Sequence, residues 1–226
     1  SMGGIVTRKY LQGPNYRNDI HKLITLATPH MGTQTANFLL SPEGRATRSY
    51  FNHGGGFDLE SPFIPKLPCY LGSVEDLRVN SSAIQSLNTS PNLNRNVVPT
   101  HAIIGTDVAA FCSSIVNCPP YKEDNFIVSV AYRDYKDATN SNISITEFMD
   151  TIFNDEVNDL TVPYQSQHNG VATFSHYSGF SHTEIRKEPS IEILSKLRDL
   201  LNSRPNDPVL FSLGYNPGGF LTSSFQ

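Results

Sequence analysis

The sequence predicts an α/β fold with a mostly parallel sheet and flanking helices. Residues 22–27 and 97–105 are short, largely apolar runs with the length of buried parallel strands. Residues 2–12, before the first of these runs, have apolar side chains at helical spacing, and an apolar helical stripe follows Pro189 near the other end of the chain. This alternation of helix and strand is typical of α/β proteins.

Composition places the chain among ordinary globular domains. Its 226 residues fit one domain, and no internal repeat or low-complexity tract divides them. The formal net charge is −4 and no basic run is present, so neither nucleic acid nor an anionic membrane surface is suggested as a partner. The three cysteines, Cys69, Cys112 and Cys118, make neither a disulfide framework nor a zinc-site spacing. We therefore expect no metal and no cofactor.

The polar residues leave the location of the protein open and slightly favour a secreted or extracytoplasmic one. Asn80, Asn88 and Asn142 begin formal glycosylation triplets, which also arise often by chance. Cys112 and Cys118 could close a small loop in an oxidising compartment, and two separate thiols are an equal alternative. No apolar run has the length of a membrane span.

The first four residues, Ser1-Met2-Gly3-Gly4, begin the first chemical motif. They resemble the start of the nucleophile elbow of α/β-hydrolase lipases and esterases, where Gly-x-Ser-x-Gly turns sharply from a strand into a helix. The resemblance implies that Ser1 is the nucleophile and that the Met2 backbone N–H is an oxyanion donor. It also implies that Gly3 is the second glycine, where a side chain would crowd the turn. The first glycine and the strand before it are absent, so we expect the carboxyl-terminal part of such a protein.

Two other interpretations of Ser1 are possible. It could belong to a cloning scar or an ordinary loop, but the helical spacing of Met2, Val6 and Tyr10 before a Gly-Pro stop is what an elbow helix requires. Ser1 could instead be an N-terminal nucleophile whose own α-amine is the base. That chemistry would leave the acid and histidine motifs described below without a role.

Residues 28–32, Thr-Pro-His-Met-Gly, end the apolar run at 22–27. They resemble the Thr-Pro-His-x-Gly turn that closes the strand after the nucleophile helix in many lipases. We expect His30 to be a turn residue hydrogen-bonded to the backbone, because no partner acid for a catalytic histidine is apparent near it.

An insertion from about residue 34 to 96 is interpreted as a cap or lid, because aromatics, glycines and prolines are scattered through it without period-two alternation. Residues 73–76, Ser-Val-Glu-Asp, could cap a helix there, a pattern that resembles the cap of lipases related to inositol deacylases. The apolar residues expected to form the cap core, with some of them lining an acyl pocket, are Phe38, Leu39, Leu40, Phe51, Phe57, Phe63, Ile64 and Leu67.

Two further segments of the insertions have recognisable patterns. His53-Gly54-Gly55-Gly56 spells the oxyanion motif of some esterases, but that motif belongs before the nucleophile, so we interpret it as a flexible cap turn. In a second insertion, about residues 107–155, the alternating stretch 126–132 is predicted to pair with residues 143–145 as antiparallel strands.

The triad acid is predicted from residues 158–166, Asn-Asp-Leu-Thr-Val-Pro-Tyr-Gln-Ser, which resemble the Asp-x-x-Val-Pro-x-x-Ser segment of this lipase group. The resemblance implies that Asp159 holds the catalytic histidine in one tautomer and stabilises its imidazolium. Asp107 is the rival, because it directly follows a predicted strand, where the acid usually lies, although no Val-Pro continuation follows it. Asp155 and Glu156 are interpreted as solvated charges.

The general base is predicted in the loop after a last strand at residues 171–174. Residues 175–181 lead to His182 and resemble the loop that delivers the triad histidine before the final helix. The resemblance implies His182 as the base, with His176 as a competitor in the same loop. The order Ser, Asp, His along the chain is that of α/β-hydrolases.

The carboxyl-terminal region is expected to add a helix and a tail. The helix is predicted to begin at Pro189 and to pack an apolar stripe on the sheet, and residues 204–226 are interpreted as a tail or linker. The residues of that stripe are Ile191, Leu194, Leu197 and Leu201.

Together the motifs imply a serine hydrolase that cleaves carboxylic esters, above all lipid esters, through an acyl-enzyme. The catalytic domain would span residues 1–203. A thioesterase, amidase or acyltransferase would use the same triad, and an inactive scaffold would act as an interaction domain. The expected partners are an acyl-ester substrate, a transient lipid interface at the lid, and a missing N-terminal segment of the same protein, without which the fragment is expected to be inactive.

Overall fold

The computed structural model describes residues 1–44, 47, 70–89, 98–106, 122–154, 156–168, 170–187 and 189–213. Several sequence predictions lie outside these residues: the motif at 53–56, the cap residues from Phe51 to Leu67, the three cysteines, Asp107 and Asp155.

A four-stranded sheet forms the centre of the described structure. Its strands are β1 (Leu23–Leu26), β2 (Pro99–Thr106), β3 (Phe174–Ser178) and β4 (Ser212–Leu213). β1 and β3 flank β2 and run parallel to it, whereas β4 pairs antiparallel with the first residues of β2. The predicted α/β class and mostly parallel sheet are therefore confirmed. Because parallel strands end at one edge, the segments that follow β1, β2 and β3 emerge side by side.

The first two predicted strands lie where the apolar runs placed them, and the third does not. Pro99 is the first residue of β2, where its missing N–H costs little. The prediction of a strand at residues 171–174 is wrong, because β3 begins only at Phe174 and has alternating partial exposure. Val171 is fully buried against Ala102 and Ile104 without belonging to a strand. The apolar side chain of Val171 therefore indicates a buried position and not a strand.

Nine α-helices surround the sheet within the described residues. They are α1 (Met2–Gln12), α2 (Gln34–Leu40), α3 (Tyr70–Asp76), α4 (Ser82–Asn88), α5 (Lys122–Thr139), α6 (Ile145–Phe153), α7 (Tyr164–His168), α8 (His182–Lys187) and α9 (Ile191–Asn202). Among the described residues, no helix is both long enough and apolar enough to cross a membrane.

Helix α1 is present as predicted and ends at Gln12, and the apolar residues that predicted it do not mark its buried face. Val6 is 61% exposed, whereas Arg8 and Leu11 are buried. Leu11 packs with Leu23 of β1 at the sheet. Arg8 is buried because its guanidinium bonds backbone acceptors of other segments. The spacing of apolar residues in the sequence does not predict such a burial.

The first insertion contains two short helices, α3 and α4, where one capped helix was expected. Ser73 lies inside α3, and the cap of α4 is Ser81, whose hydroxyl accepts the Ile84 N–H at 3.1 Å. Asn80 has φ +63° between the helices, a conformation that Asn adopts more easily than most residues. Asn80 directly precedes the Ser81 cap, so its left-handed backbone turns the chain into α4. Phe38 of α2 is buried, as the cap-core prediction required.

The second insertion is helical, so the predicted strand pair at 126–132 and 143–145 is wrong. Val128 and Ala131 lie three residues apart on one buried face of α5, with Tyr135 four residues further along, and they pack against Phe148 of α6. Ser144 is the N-cap of α6 and forms a capping box with Glu147. The Ser144 hydroxyl accepts the Glu147 N–H, and the Glu147 carboxylate accepts the Ser144 N–H. The apolar residues of the seven-residue stretch 126–132 fit both the period of a strand and that of a helix, and packing against α6 favours the helix.

The last helix begins two residues after Pro189, with Ser190 as its N-cap. The predicted apolar stripe is wrong: Ile191 is 86% exposed, and the buried positions are Ile193 and Leu200. The helix is therefore rotated relative to the prediction. Leu197 packs partly against the same cluster, which also contains Phe211.

Residues 204–213 pack against the sheet and are not a free linker. Phe211 is buried, and β4 pairs with β2. A ring nitrogen of His101 in β2 lies 2.6 Å from the Leu210 carbonyl. The Lys22 ammonium also donates to carbonyls at the end of α9, including that of Leu200 at 2.6 Å. A cation at a helix carboxyl terminus is favourable, so this end of the chain is fixed to the core.

Candidate active site

The predicted acid Asp159 lies in a tight turn whose own backbone satisfies its carboxylate. Its side chain has 0% exposure, and Oδ1 accepts the N–H of Thr161 at 3.0 Å and that of Val162 at 2.6 Å. Leu160, which directly follows Asp159, has φ +73°, and this conformation bends the chain around the carboxylate. Two N–H donors stabilise a buried carboxylate that would otherwise be costly to hold away from water.

The other carboxylate oxygen holds the predicted base. His182 Nδ1 lies 2.8 Å from Asp159 Oδ2, and the His182 backbone N–H donates to the Asp159 carbonyl at 2.9 Å. The imidazole is 12% exposed, so the pair is nearly closed to solvent. With a proton on Nδ1 facing the carboxylate, Nε2 becomes the acceptor nitrogen, which is the tautomer a general base needs.

A capping box fixes the helix that begins with His182. The Ser181 N–H donates to Glu184 Oε2 at 2.8 Å, and the Glu184 N–H donates back to the Ser181 hydroxyl at 3.4 Å. Both residues are buried. The Ser-x-x-Glu pattern is visible in the sequence as a helix start and was missed there. It sets the backbone of the histidine at the first residue of α8.

The predicted nucleophile lies at the carboxyl end of β1. The Ser1 nitrogen donates to the Leu26 carbonyl at 2.8 Å, and the Thr28 hydroxyl donates to the Ser1 carbonyl at 2.9 Å. Ala27 N–H donates to Ile103 of β2, so the alternation of a strand directs the Leu26 carbonyl to the outer edge of β1. Ser1 therefore occupies a ladder position beside that outer edge. Its hydroxyl makes no capping bond to α1, although Ser1 is the N-cap.

The glycine that permits this close approach is Gly4 and not Gly3. A Cβ on Gly4 would lie 2.4 Å from the Thr28 hydroxyl oxygen, whereas a Cβ on Gly3 would meet no described atom within 4 Å. The crowding predicted at Gly3 is therefore absent among the described residues, because Gly3 faces away from β1. Met2 is the first residue of α1, and its N–H is one of the helix amides without an intrahelical acceptor. That is the property required of the predicted oxyanion donor.

The three predicted triad residues lie at one edge of the sheet. Ser1 is beside the end of β1, the Asp159 turn is bonded to the end of β2 through Gln167, and His182 follows β3. Gly179 N–H donates to the Thr106 carbonyl, which fixes the loop after β3 against β2. Asp159 and His182 are joined directly by a hydrogen bond. The catalytic roles of all three remain predictions.

The segment after Asp159 is also bonded to the turn after β1. The Ser166 hydroxyl accepts the Met31 N–H at 3.1 Å and donates to the Gly32 carbonyl at 2.6 Å. The serine that ends the acid motif thus couples it to the Thr-Pro-His-Met-Gly turn. Glu156, interpreted as a solvated charge, is half-buried and accepts the Gln165 N–H at 2.9 Å, and burial raises its pKa.

The rival histidines have other environments. His176 Nε2 is bonded to the Thr106 hydroxyl, and the ring lies edge-on to Tyr164. Within the described part of the chain, no carboxylate forms an ion pair with His176. His30 is fully buried, with Nε2 3.5 Å from the Thr25 hydroxyl, and burial holds its pKa well below the usual range. The prediction that His30 is structural agrees with this position.

Arg8 is an anchor that the sequence analysis missed. Its guanidinium donates to the carbonyls of His30 at 3.2 Å and Leu87 at 3.1 Å, and to Asn88 Oδ1 at 2.9 Å. The Asn88 amide itself donates to the His30 carbonyl at 3.1 Å. Asn88 is thus engaged in the fold, which argues against glycosylation of this triplet in the folded protein. A single buried arginine joins α1, the turn after β1 and α4.

Two cavities adjoin these elements. One of about 250 Å³ lies between α4 and the segment after Asp159, and its walls include Met31, Ile84 and Pro163. The other, about 590 Å³, runs along the exposed side of α1 and includes Met2, Val6 and Leu77. Both are mostly apolar, as an acyl group would require. Within the described residues, no cluster of His, Cys, Asp and Glu could hold a metal ion.

The burial of three histidines predicts that stability decreases in mild acid. Burial is the largest cause of the lowered pKa of His30, His101 and His168. Below about pH 6.5 the histidines of the unfolded chain are protonated, whereas the buried histidines of the folded protein stay neutral. Each such histidine can therefore lower the free energy of unfolding by up to about 1.4 kcal/mol per pH unit. We expect the urea midpoint to decrease from pH 7.5 to 5.5.

The control for this titration is His101→Gln, which cannot gain a proton and should reduce the slope. Glu156 acts in the opposite sense, because its raised pKa lets the folded protein take up a proton more readily than the unfolded chain. A urea midpoint that stays constant or increases as the pH is lowered would contradict the prediction.

Comparison with known proteins adds no relative. No protein-family model matches the sequence, and no characterised protein and no solved structure matches it significantly. The residues and their geometry are therefore the basis for any functional assignment.

Proposed function

We propose that this chain is the carboxyl-terminal part of an α/β-hydrolase that cleaves carboxylic esters, with Ser1, Asp159 and His182 as its triad. The observation that carries the proposal is the 2.8 Å contact between His182 Nδ1 and the buried Asp159 carboxylate. A buried acid that is bonded to one nitrogen of a histidine at the carboxyl edge of a parallel sheet is the arrangement a serine hydrolase needs.

In the proposed reaction, His182 Nε2 takes the Ser1 hydroxyl proton while the Ser1 oxygen forms a bond to the ester carbonyl carbon. The carbonyl oxygen becomes an oxyanion and accepts the Met2 N–H at the start of α1. The imidazolium, stabilised by Asp159, then gives its proton to the leaving alkoxide. Water hydrolyses the acyl-enzyme through the same base and regenerates Ser1.

The proposal includes a strand before Ser1 that pairs with the outer edge of β1. The outward Leu26 carbonyl and its bond to the Ser1 nitrogen support this part, because the nitrogen already occupies a sheet position. The apolar surface along α1, including the exposed Met2 and Val6, would be covered by the same preceding segment. The α-amine alternative would leave the hydrogen-bonded Asp159–His182 pair without a role.

The ester class rests on the motif resemblance, and the lipid character on the apolar cavity of about 250 Å³. The carboxyl edge of an α/β sheet is where ligands bind, and this cavity lies beside the turn after β1 and the segment after Asp159, which are found there. A lid that contacts a lipid interface remains part of the proposal. The rival from a different class is an interaction domain without catalysis, which would keep the fold and lack a reactive serine.

A serine-reactive fluorophosphonate probe on the full-length protein separates the two. We expect stoichiometric labelling of Ser1, identified by peptide mass spectrometry, and its loss after heat denaturation. Hydrolysis of p-nitrophenyl butyrate at the same pH would establish the ester class. A folded protein that neither labels nor hydrolyses would support the interaction domain.

A further inference from the structure

Asp159 has an unusual relation to the strand it serves. The turn that carries it lies at the end of β2, yet the whole second insertion separates the two along the chain. Chain connectivity therefore does not fix the carboxylate, and a tertiary contact must do so. Since a misplacement of about 1 Å can cost about 10²-fold in rate, that contact matters for any reaction at this site.

Gln167 of α7 makes such a contact with β2. Its side chain is fully buried, and its amide bonds both backbone groups of Gly105: Oε1 accepts the N–H at 3.0 Å and Nε2 donates to the carbonyl at 2.8 Å. The second Nε2 proton is donated to the Val162 carbonyl at 2.9 Å. The amide therefore has an acceptor or donor for each of these three backbone groups.

The amide occupies a place in the sheet that β1 leaves open. Ile103 accepts a bond from β1, so alternation directs the Gly105 groups to the same side. The register pairs Leu26 with Ile103, which would bring Thr28 opposite Gly105. Ala27 instead has φ +46° and turns the chain away. If the parallel pairing continued, Gly105 would bond the Ala27 carbonyl and the N–H of residue 29, which is a proline and has none. Gln167 thus supplies the acceptor and also the donor, which a longer β1 would lack.

From Val162 the bonds lead directly to the acid. The Val162 N–H donates to Asp159 Oδ1 at 2.6 Å, and its carbonyl accepts the Asp159 N–H at 3.3 Å. The helix that carries His182 also packs closely on Gly105, because a Cβ at Gly105 would lie 2.3 Å from Ile185 of α8. Gly105 is thus the point where the acid turn and the histidine helix meet the sheet.

We propose that Gln167 is a positioning residue that holds Asp159 in register with His182 by completing the sheet beyond the end of β1. The effect of Gln167 on catalysis rests on the proposed function. The structural link between Gln167 and the Asp159–His182 hydrogen bond does not, and it can be measured without a substrate. A methionine in place of Gln167 would remove the partners of the buried Gly105 N–H and carbonyl, and it would leave the Val162 carbonyl with the Asp159 N–H alone.

The test compares Gln167→Met with Gln165→Met, an exposed glutamine on the same helix. The first readout is the downfield proton resonance of His182 Nδ1–H, which we expect to broaden or shift in Gln167→Met and to persist in the control. The second is hydrolysis of p-nitrophenyl butyrate by the full-length protein. We expect kcat to decrease about 10²-fold with KM within about twofold, because positioning affects the reacting groups more than binding.

A folded Gln167→Met variant with unchanged kcat and an unchanged resonance would overturn the proposal. If that variant does not fold, Gln167→Glu decides, because its carboxylate offers no donor to the Gly105 and Val162 carbonyls and should give the same two losses at neutral pH. In the wild type, the Gly105 amide should exchange hydrogen as slowly as that of Ile103, and rapid exchange would also overturn it. A wild type without esterase activity or labelling would reject the proposed function, whereas the resonance and exchange would still test Gln167.

Discussion

Ser1→Ala is expected to abolish fluorophosphonate labelling and to lower kcat for ester hydrolysis by on the order of 10⁶-fold in the full-length protein. The substitution removes one oxygen atom from an exposed position at the start of α1, so the fold should persist. The Thr28 hydroxyl and the Leu26 carbonyl bond the Ser1 backbone and not its side chain. A large loss of rate with an unchanged melting temperature would therefore report chemistry.

The matched control is Ser195→Ala, at an exposed serine of α9, which should change neither labelling nor rate. A second comparison excludes the α-amine mechanism: an N-terminal nucleophile loses its base when any residue precedes it, whereas a triad serine keeps its activity inside a longer chain. Full turnover by Ser1→Ala would remove Ser1 from the mechanism.

The contiguous motifs were the part of the site that sequence could predict. Asp159 is held by N–H groups two and three residues further along, and His182 begins a helix whose cap precedes it by one residue. Such local chemistry is encoded in short stretches of chain. The pairing of Asp159 with His182 was then expected from the known order of these motifs, and the short contact agrees with it.

The error in the orientation of α9 has a general physical cause. Its buried face was assigned from apolar spacing alone, yet Ile191 is exposed, and in α1 the charged Arg8 is buried through partners in distant segments. Periodicity identifies a helix, but the surface that it buries depends on what the rest of the chain supplies. The strand predicted at 126–132 failed for the same reason, because packing against α6 decided between two possible periods.

Gln167 could not be predicted by any local rule. Its role depends on Gly105, on the turn at Ala27 and on Val162, which come together only in the folded protein. A glutamine in a short helix after an acid motif has no sequence signature of its own. Contacts that compensate for a long insertion are therefore found only from the tertiary structure.

Asp159→Asn is expected to lower kcat about 10⁴-fold while leaving the fold intact, as neutralising a triad acid does. The asparagine carbonyl can still accept the N–H groups of Thr161 and Val162, so the turn should survive. The amide nitrogen would then face His182 as a donor and favour the tautomer with its proton on Nε2. In that tautomer Nε2 has no lone pair to take the serine proton.

Two comparisons make this result decisive. Asp207→Asn changes a carboxylate that likewise accepts a backbone N–H, that of Val209 at 3.0 Å, but lies far along the chain from the triad, and it should leave kcat unchanged. Asp107→Asn tests the rival acid and should cost less than about tenfold, since a residue outside the triad does not set the histidine tautomer. If Asp107→Asn gave the larger loss, the acid would be Asp107, and the 2.8 Å contact of Asp159 with His182 would have to be structural.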